Sequence, residues 1–239
     1  MIISKSRRFV FVHIHKTGGT SMAHALDPFL AWDDIVLGAT PRGHAINLAY
    51  KQRFGLNKHS SVAEIEAVCG RDLIEDYYVF ALVRRPIDRA CSYYNFIGAV
   101  LDRWSAREGV PFSEIPAYLA ANPGAEASFP ELGWPDSRAF LATSGFSEFL
   151  HRDLQPENHA MRTQVSRLRD RKGEVAGEPL KLEDAESWLP ELGRRIGADL
   201  TFGRLNESGS RRVDPQALSR EDVRRVHELY AEDYERFGY

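Results

Sequence analysis

Arg8-Phe-Val-Phe-Val-His-Ile14 runs directly into His15-Lys-Thr-Gly-Gly-Thr-Ser21, and the fold turns on how these two stretches are joined. The first is β-branched and aromatic, with apolar side chains at both parities. That pattern predicts a strand buried on both faces of a parallel sheet. The second stretch is glycine-rich, and Met22 to Leu26 after it reads as helix. In the order strand, tight loop, helix, successive loop N–H groups and the helix N-terminus converge on one point, which favours an anion. Gly18 and Gly19 permit positive φ and close backbone approach, Thr20 and Ser21 add hydroxyl donors, and Lys16 adds a point charge. A tight turn capped by Thr or Ser is the purely structural alternative. The nucleoside-triphosphatase pattern G-x-x-x-x-G-K-[ST] is absent, because Lys16 precedes both glycines instead of following the second.

A second unit of the same kind begins with Tyr77-Tyr-Val-Phe-Ala-Leu-Val83, again apolar at both parities. Arg84 ends this strand, and Pro86 fits the first turn of a helix expected to run to about Ile97. Arg84 can grip a phosphate bidentately while Ser92, on the helix, donates a further hydrogen bond. Two anion-binding loops at the ends of two parallel strands suit a ligand with two separated phosphate-type groups, since open α/β sheets bind ligands beyond the carboxyl ends of their strands.

Elsewhere the signals are local. Ser61-Val-Ala-Glu64 reads as a capping box opening a helix with Val62, Ile65, Val68 and Cys69 on its apolar face, which puts His59 just before a helix N-terminus. Prolines and glycines crowd the stretch from about Arg103 to Asp136, predicting short helices in an insertion at about 103–140, a natural place for substrate contacts. Ser166 to Pro179 reads as a charged, solvated loop. Leu182, Ala185, Trp188 and Leu189 keep helical spacing until Pro190 breaks or restarts the helix. A final helix opens at Ser219, with Asp222 in the capping position and Val223, Val226, Leu229, Tyr230, Tyr234 and Phe237 on one face.

The chain has 239 residues, 43% hydrophobic and 27% charged, enough for one compact domain with a sizeable core. A formal charge of −3 gives no global basic excess, so nucleic acid and anionic membranes are not the expected partners and any anion site must be local. Cys69 and Cys91 are too few for a disulfide framework, which suits a reducing compartment; with no signal or membrane-spanning stretch, a cytoplasmic protein is expected.

At these residues the chain resembles the sulfotransferases that use 3'-phosphoadenosine 5'-phosphosulfate (PAPS), in the branch of heparan sulfate 2-O-sulfotransferase and the carbohydrate 4-sulfotransferases. His13-Ile-His-Lys-Thr-Gly-Gly-Thr-Ser21 is similar to the family's 5'-phosphosulfate loop, and Phe80 to Tyr94 to its 3'-phosphate motif. Leu205-Asn-Glu-Ser208 and the ending Leu218 to Tyr239 resemble later family segments. The resemblance implies that Lys16 contacts the bridging region of the donor, that Thr17, Gly18, Gly19, Thr20 and Ser21 surround the 5'-phosphosulfate, and that Arg84 and Ser92 hold the 3'-phosphate. His15 stands where proline is common, and Arg85 where asparagine or aspartate is common.

A hydroxyl acceptor must lose its proton as it attacks sulfur, which calls for a base. The resemblance places a histidine between the two phosphate motifs in that role, which implies His59; a helix N-terminus disfavours imidazolium and agrees with it. His44 is the competitor, and His151 and His159 have no assigned role. No metal is called for: the cysteines lack ligand spacing and H-E-x-x-H is missing. Asp33-Asp34 and Glu183-Asp184 read as solvated positions. Arg152, Arg162, Arg167, Arg169, Arg171 and Lys172 give one region a basic tint, read as a solvated face or a grip for an anionic glycan. The expectation is an α/β, P-loop-like fold with a central, mainly parallel sheet flanked by helices. It would transfer the sulfuryl group from PAPS to a hydroxyl or amine acceptor, a carbohydrate or small molecule among them, releasing adenosine 3',5'-bisphosphate (PAP). An atypical kinase or NTPase and a non-catalytic PAPS or PAP binder are the alternatives.

Overall fold

A computed structural model describes residues 1–125, 129–152, 160–203 and 212–239. By its internal contacts the chain divides into two compact units: Met1–Arg85 with Thr163–Glu207 and Glu232–Tyr239, and Pro86–Arg162 with Ser208–Ala231.

The first unit holds a five-stranded sheet of β1 (Ile2–Ser4), β2 (Phe9–Val12), β3 (Ile35–Val36), β4 (Tyr78–Val83) and β5 (Glu178–Lys181), in the order β3-β1-β2-β4-β5. Its centre is parallel, with Phe9 opposite Tyr78 and Val12 opposite Ala81, and β5 runs parallel to β4. β1 pairs antiparallel with both β2 and β3, closing that edge. Both central strands are apolar at every position because each face meets its own layer. Val10, Val12, Val79, Ala81 and Val83 pack against Val62, Ile65, Leu168 and Phe237. Phe9, Phe11, Phe80 and Leu82 pack against Met22, Leu26, Leu192 and Ile196. Burying side chains of this size contributes roughly 1.5–3 kcal/mol each, so these two strands anchor the unit. Since β2 and β4 are parallel and in register, the segments that follow them leave the sheet at the same end.

Helix α1 (Gly19–Leu26) follows β2. Helices α2 (Pro41–Phe54), α3 (Val62–Cys69) and α4 (Arg71–Asp76) lie between β3 and β4. The capping box of α3 forms as read from the sequence: the Ser61 side chain accepts from Glu64 N, and Ser61 N donates to Glu64 Oε2 at 2.6 Å. Its apolar face differs, with Val68 exposed and Glu66 buried, because the Glu66 carboxylate accepts from Arg171 N at 2.8 Å.

In the second unit, α5 (Pro86–Glu108) starts at Pro86 but runs well past Ile97 and past Arg103. The sequence expectation stopped too early. Ile97, Val100, Leu101 and Trp104 are all buried and carry the helical period onward. Around it, Tyr94 packs tilted against Phe140 at 4.5 Å and meets Phe149 edge-on at 5.1 Å, while Tyr93 donates to Asp136.

Other expectations also need correction. The Ser166 to Pro179 stretch is a solvated loop only in part: residues 171–174 form an exposed turn, but both ends are ordered elements. A helix covers Gln164–Leu168, capped by Thr163, with Val165, Arg167 and Leu168 buried, and the edge strand β5 begins at Glu178. Helix Ala185–Ile196 continues through Pro190, held by burial of Leu192 and Ile196 beyond it. The C-terminal segment is two helices, Arg220–Leu229 and Ala231–Phe237, broken at Tyr230, whose φ is −121°. Asp34 is not solvated: buried, it accepts from Lys5 N, Ser6 N, Ala31 N and the Ser4 and Ser6 hydroxyls. Burial alone would raise its pKa, but these hydrogen bonds outweigh it and leave the carboxyl below its ordinary value. Leu205-Asn-Glu-Ser208 and His159 lie outside the described residues.

Candidate active site

The loop after β2 leaves the sheet at His13 and enters α1 at Gly19. Two of its residues adopt left-handed backbone, Lys16 at φ 64° and Gly18 at φ 84°. For lysine this costs roughly 1–2 kcal/mol, so the surrounding packing must enforce it. Gly19 is not left-handed and is required for another reason: a Cβ there would lie 2.2 Å from Cδ2 of the buried His13 ring. The Thr17 hydroxyl donates to Ile14 O at 3.1 Å, so the buried Thr17 side chain ties the loop back to the strand end. Helix geometry leaves the N–H groups from Gly18 to Ser21 without intrahelical acceptors, the donor set expected for an anion.

Cations gather at this loop. Lys16 is half-buried, and its pKa falls from 10.5 to about 8 because burial disfavours the ammonium and Arg84 and Lys58 repel it. Arg84 leaves the end of β4 and donates from Nη1 to Lys16 O at 3.4 Å. Lys58 Nζ donates to Thr20 Oγ1 at 3.5 Å, and burial lowers its pKa too. Three like charges held together raise one another's energy, and an anion among them would reverse the sign of that interaction. Lys58 has no role in the sequence reading; its place beside His59 was the available signal.

His59 is fixed from three directions. Its backbone N donates to Asn57 Oδ1 at 2.8 Å, its carbonyl accepts from Arg167, and its ring Nδ1 lies 2.8 Å from His13 O. It stacks on His15, centroids 3.5 Å apart and 20° from parallel, and meets His13 edge-on at 4.8 Å. Its pKa lies well below 6.5, first through burial and then through the charges of His15 and Lys58. Burial, more than the helix N-terminus invoked from sequence, keeps this imidazole neutral. His44 is exposed on α2.

Arg85 is exposed, with its backbone N on Glu183 Oε1 at 2.8 Å. Ser92 is half-buried on α5, in the other compact unit. Of the basic residues singled out from sequence, Arg162, Arg171 and Lys172 are exposed, whereas Arg167 is buried on His59 O and Glu64 Oε2, Arg169 pairs with Glu232, and Arg152 pairs with Asp136. Among the described residues, no group of three or more His, Cys, Asp or Glu is arranged to hold a metal ion. No described helix is long and apolar enough to cross a membrane.

A parallel-centred sheet flanked by helices, with a cation-lined loop where its central strands end, defines an α/β protein of P-loop-like fold. The sequence model of the sulfotransferase family matches residues 1–239, and the chain belongs to that family, whose chemistry is sulfuryl transfer. No curated protein and no solved structure shows a significant match.

Proposed function

We propose that this protein transfers the sulfuryl group of PAPS to a hydroxyl or amine acceptor by metal-independent, in-line displacement. The observation that carries this reading is the convergence of Lys16, Lys58 and Arg84 on a loop of helix-initiating amides, next to a neutral histidine. The donor supplies an activated sulfuryl group on a phosphate leaving group. Lys16 and the amides from Thr17 to Ser21 hold the 5'-phosphosulfate, and Lys58 adds a third charge through its contact with Thr20. Arg84 grips the 3'-phosphate, and Ser92 is assigned to the same phosphate by the resemblance. With Nδ1 committed to the His13 carbonyl, His59 carries its proton there and its Nε2 lone pair accepts the proton of the acceptor. Lys16 offsets the charge that develops as PAP leaves. The resemblance to carbohydrate sulfotransferases makes sugar hydroxyls the first acceptors to screen, and the two cysteines fit a cytoplasmic setting.

Calorimetric titration with PAP, AMP and ATP, each with and without Mg²⁺, tests the donor assignment. Metal-independent binding of PAP, much stronger than that of AMP, is the expected result and justifies an acceptor screen with PAPS. Binding of ATP only with Mg²⁺, and none of PAP, would overturn the reading in favour of a kinase or NTPase.

A further inference from the structure

Arg84 stands one residue beyond the last rung of the sheet, since the ladder between β4 and β5 ends at Val83 opposite Lys181. Its peptide groups are nonetheless paired as if the strand continued. Arg84 N donates to Gln164 Oε1 at 2.9 Å, and Gln164 Nε2 donates to Arg84 O at 2.9 Å. A primary amide is the side chain that carries a donor and an acceptor in the arrangement of a peptide group; a carboxylate has no donor and an alkyl chain has neither. Gln164 is fully buried, and Asp233, also fully buried, fixes it in turn. The Asp233 carboxylate accepts from Gln164 N and Val165 N at 2.9 Å and from Gln164 Nε2 at 3.2 Å. With Nε2 bound to two acceptors, the amide cannot flip without losing three contacts at once.

We infer that Gln164, oriented by Asp233, is a positioning residue that sets selectivity for a 3'-phosphate by locking the main chain from which the Arg84 guanidinium reaches the loop. This rests on the reading that Arg84 holds the donor's 3'-phosphate. Removing the amide leaves Arg84 present and charged but lets its backbone drift, and an arginine grip depends on placement as much as on charge.

The test titrates PAP and AMP into the wild-type protein, Gln164→Met, Arg84→Ala and the double variant. Gln164→Met keeps the length of the side chain and removes the amide. It is expected to weaken PAP binding about tenfold while leaving AMP binding unchanged. Because Gln164 acts through Arg84, the double variant is expected to bind PAP no more weakly than Arg84→Ala alone. Unchanged PAP affinity in Gln164→Met, equal losses for PAP and AMP, or additive losses in the double variant would each overturn the inference. A wild-type protein that does not prefer PAP over AMP removes the assignment of Arg84 and the inference with it. If Gln164→Met fails to fold, Gln164→Glu keeps the shape and the acceptor for Arg84 N; the same selective loss is expected there, and full PAP affinity would overturn the inference.

Discussion

The ring Nδ1 of His59 lies 2.8 Å from the carbonyl oxygen of His13, the residue with which the loop after β2 leaves the sheet. A carbonyl only accepts, so this contact places the proton on Nδ1 and leaves Nε2 as the basic nitrogen. It also ties the orientation of the proposed base to the same loop that would hold the donor.

His59→Ala is therefore expected to lower sulfuryl transfer by about 10²- to 10⁴-fold while PAP affinity stays close to wild type. His44→Ala is expected to retain turnover, since His44 is exposed on α2. Steady-state rates and calorimetry on the two variants separate these roles, and full turnover in His59→Ala would remove His59 as the base.

The pKa of His59, like that of buried His13, lies well below 6.5. The acid limb of kcat is expected below about pH 6.5, because the base stays unprotonated through the ordinary histidine range. Stability follows the same sign. Below about pH 6.5 the unfolded chain takes up protons at these positions and the folded chain does not, so stability falls as pH falls. Denaturant melts from neutral to mildly acidic pH check this, and His13→Gln, which removes one of the two depressed imidazoles, should shallow the dependence.

Lys16 titrates at about 8 in the folded protein. Between about pH 8 and 10.5 the unfolded chain holds a proton that the folded chain has released, so this group adds stability as pH rises through that window. PAP binding needs the ammonium and runs the other way, with affinity expected to fall as pH rises above about 8. Lys16→Arg, charged throughout, should flatten that fall, whereas Lys16→Ala is expected to cost about 10²- to 10³-fold in rate. Titrations at two pH values on either side of 8 suffice to see the difference.

Lys58→Met removes one of three crowded cations while keeping a long side chain over Gly38, whose added Cβ would lie 2.7 Å from the Lys58 stem. Less repulsion is expected to raise the melting temperature without ligand, and the lost charge to weaken PAP binding about tenfold. Thermal melts with and without PAP read both; equal PAP affinity in the variant would leave Lys58 with no part in binding.

Gly19→Ala drives a methyl into the His13 ring, which is buried and backed by His59. A loss of about 1–3 kcal/mol in unfolding free energy is expected, the usual scale of overpacking. Gly124, with nothing within 4 Å of its added Cβ, is the matched control and should tolerate alanine.

The two central strands, the glycine-rich loop between β2 and α1, and the capping box of α3 were legible because each rests on neighbouring residues: unbroken apolar parity, glycines at a strand end, Ser61 three residues before Glu64. The extent of α5 and the break at Tyr230 were not, since both depend on what packs against the helix. β5 escaped notice because Glu178-Pro-Leu-Lys181 buries little beyond Leu180, and only pairing with β4 makes it a strand.

The site divides the same way. Sequence alone determined the loop, with Lys16 and the glycines in order, and through family resemblance it singled out His59 and Arg84. Tertiary structure decided what acts on them: Lys58 against Thr20, the His13 carbonyl on the His59 ring, and Gln164 and Asp233 behind Arg84. Gln164 lies 80 positions from Arg84 along the chain. No local periodicity encodes such a pairing; it exists because the end of β4 and the start of the helix Gln164–Leu168 meet in the core, and their buried polar groups must satisfy each other there.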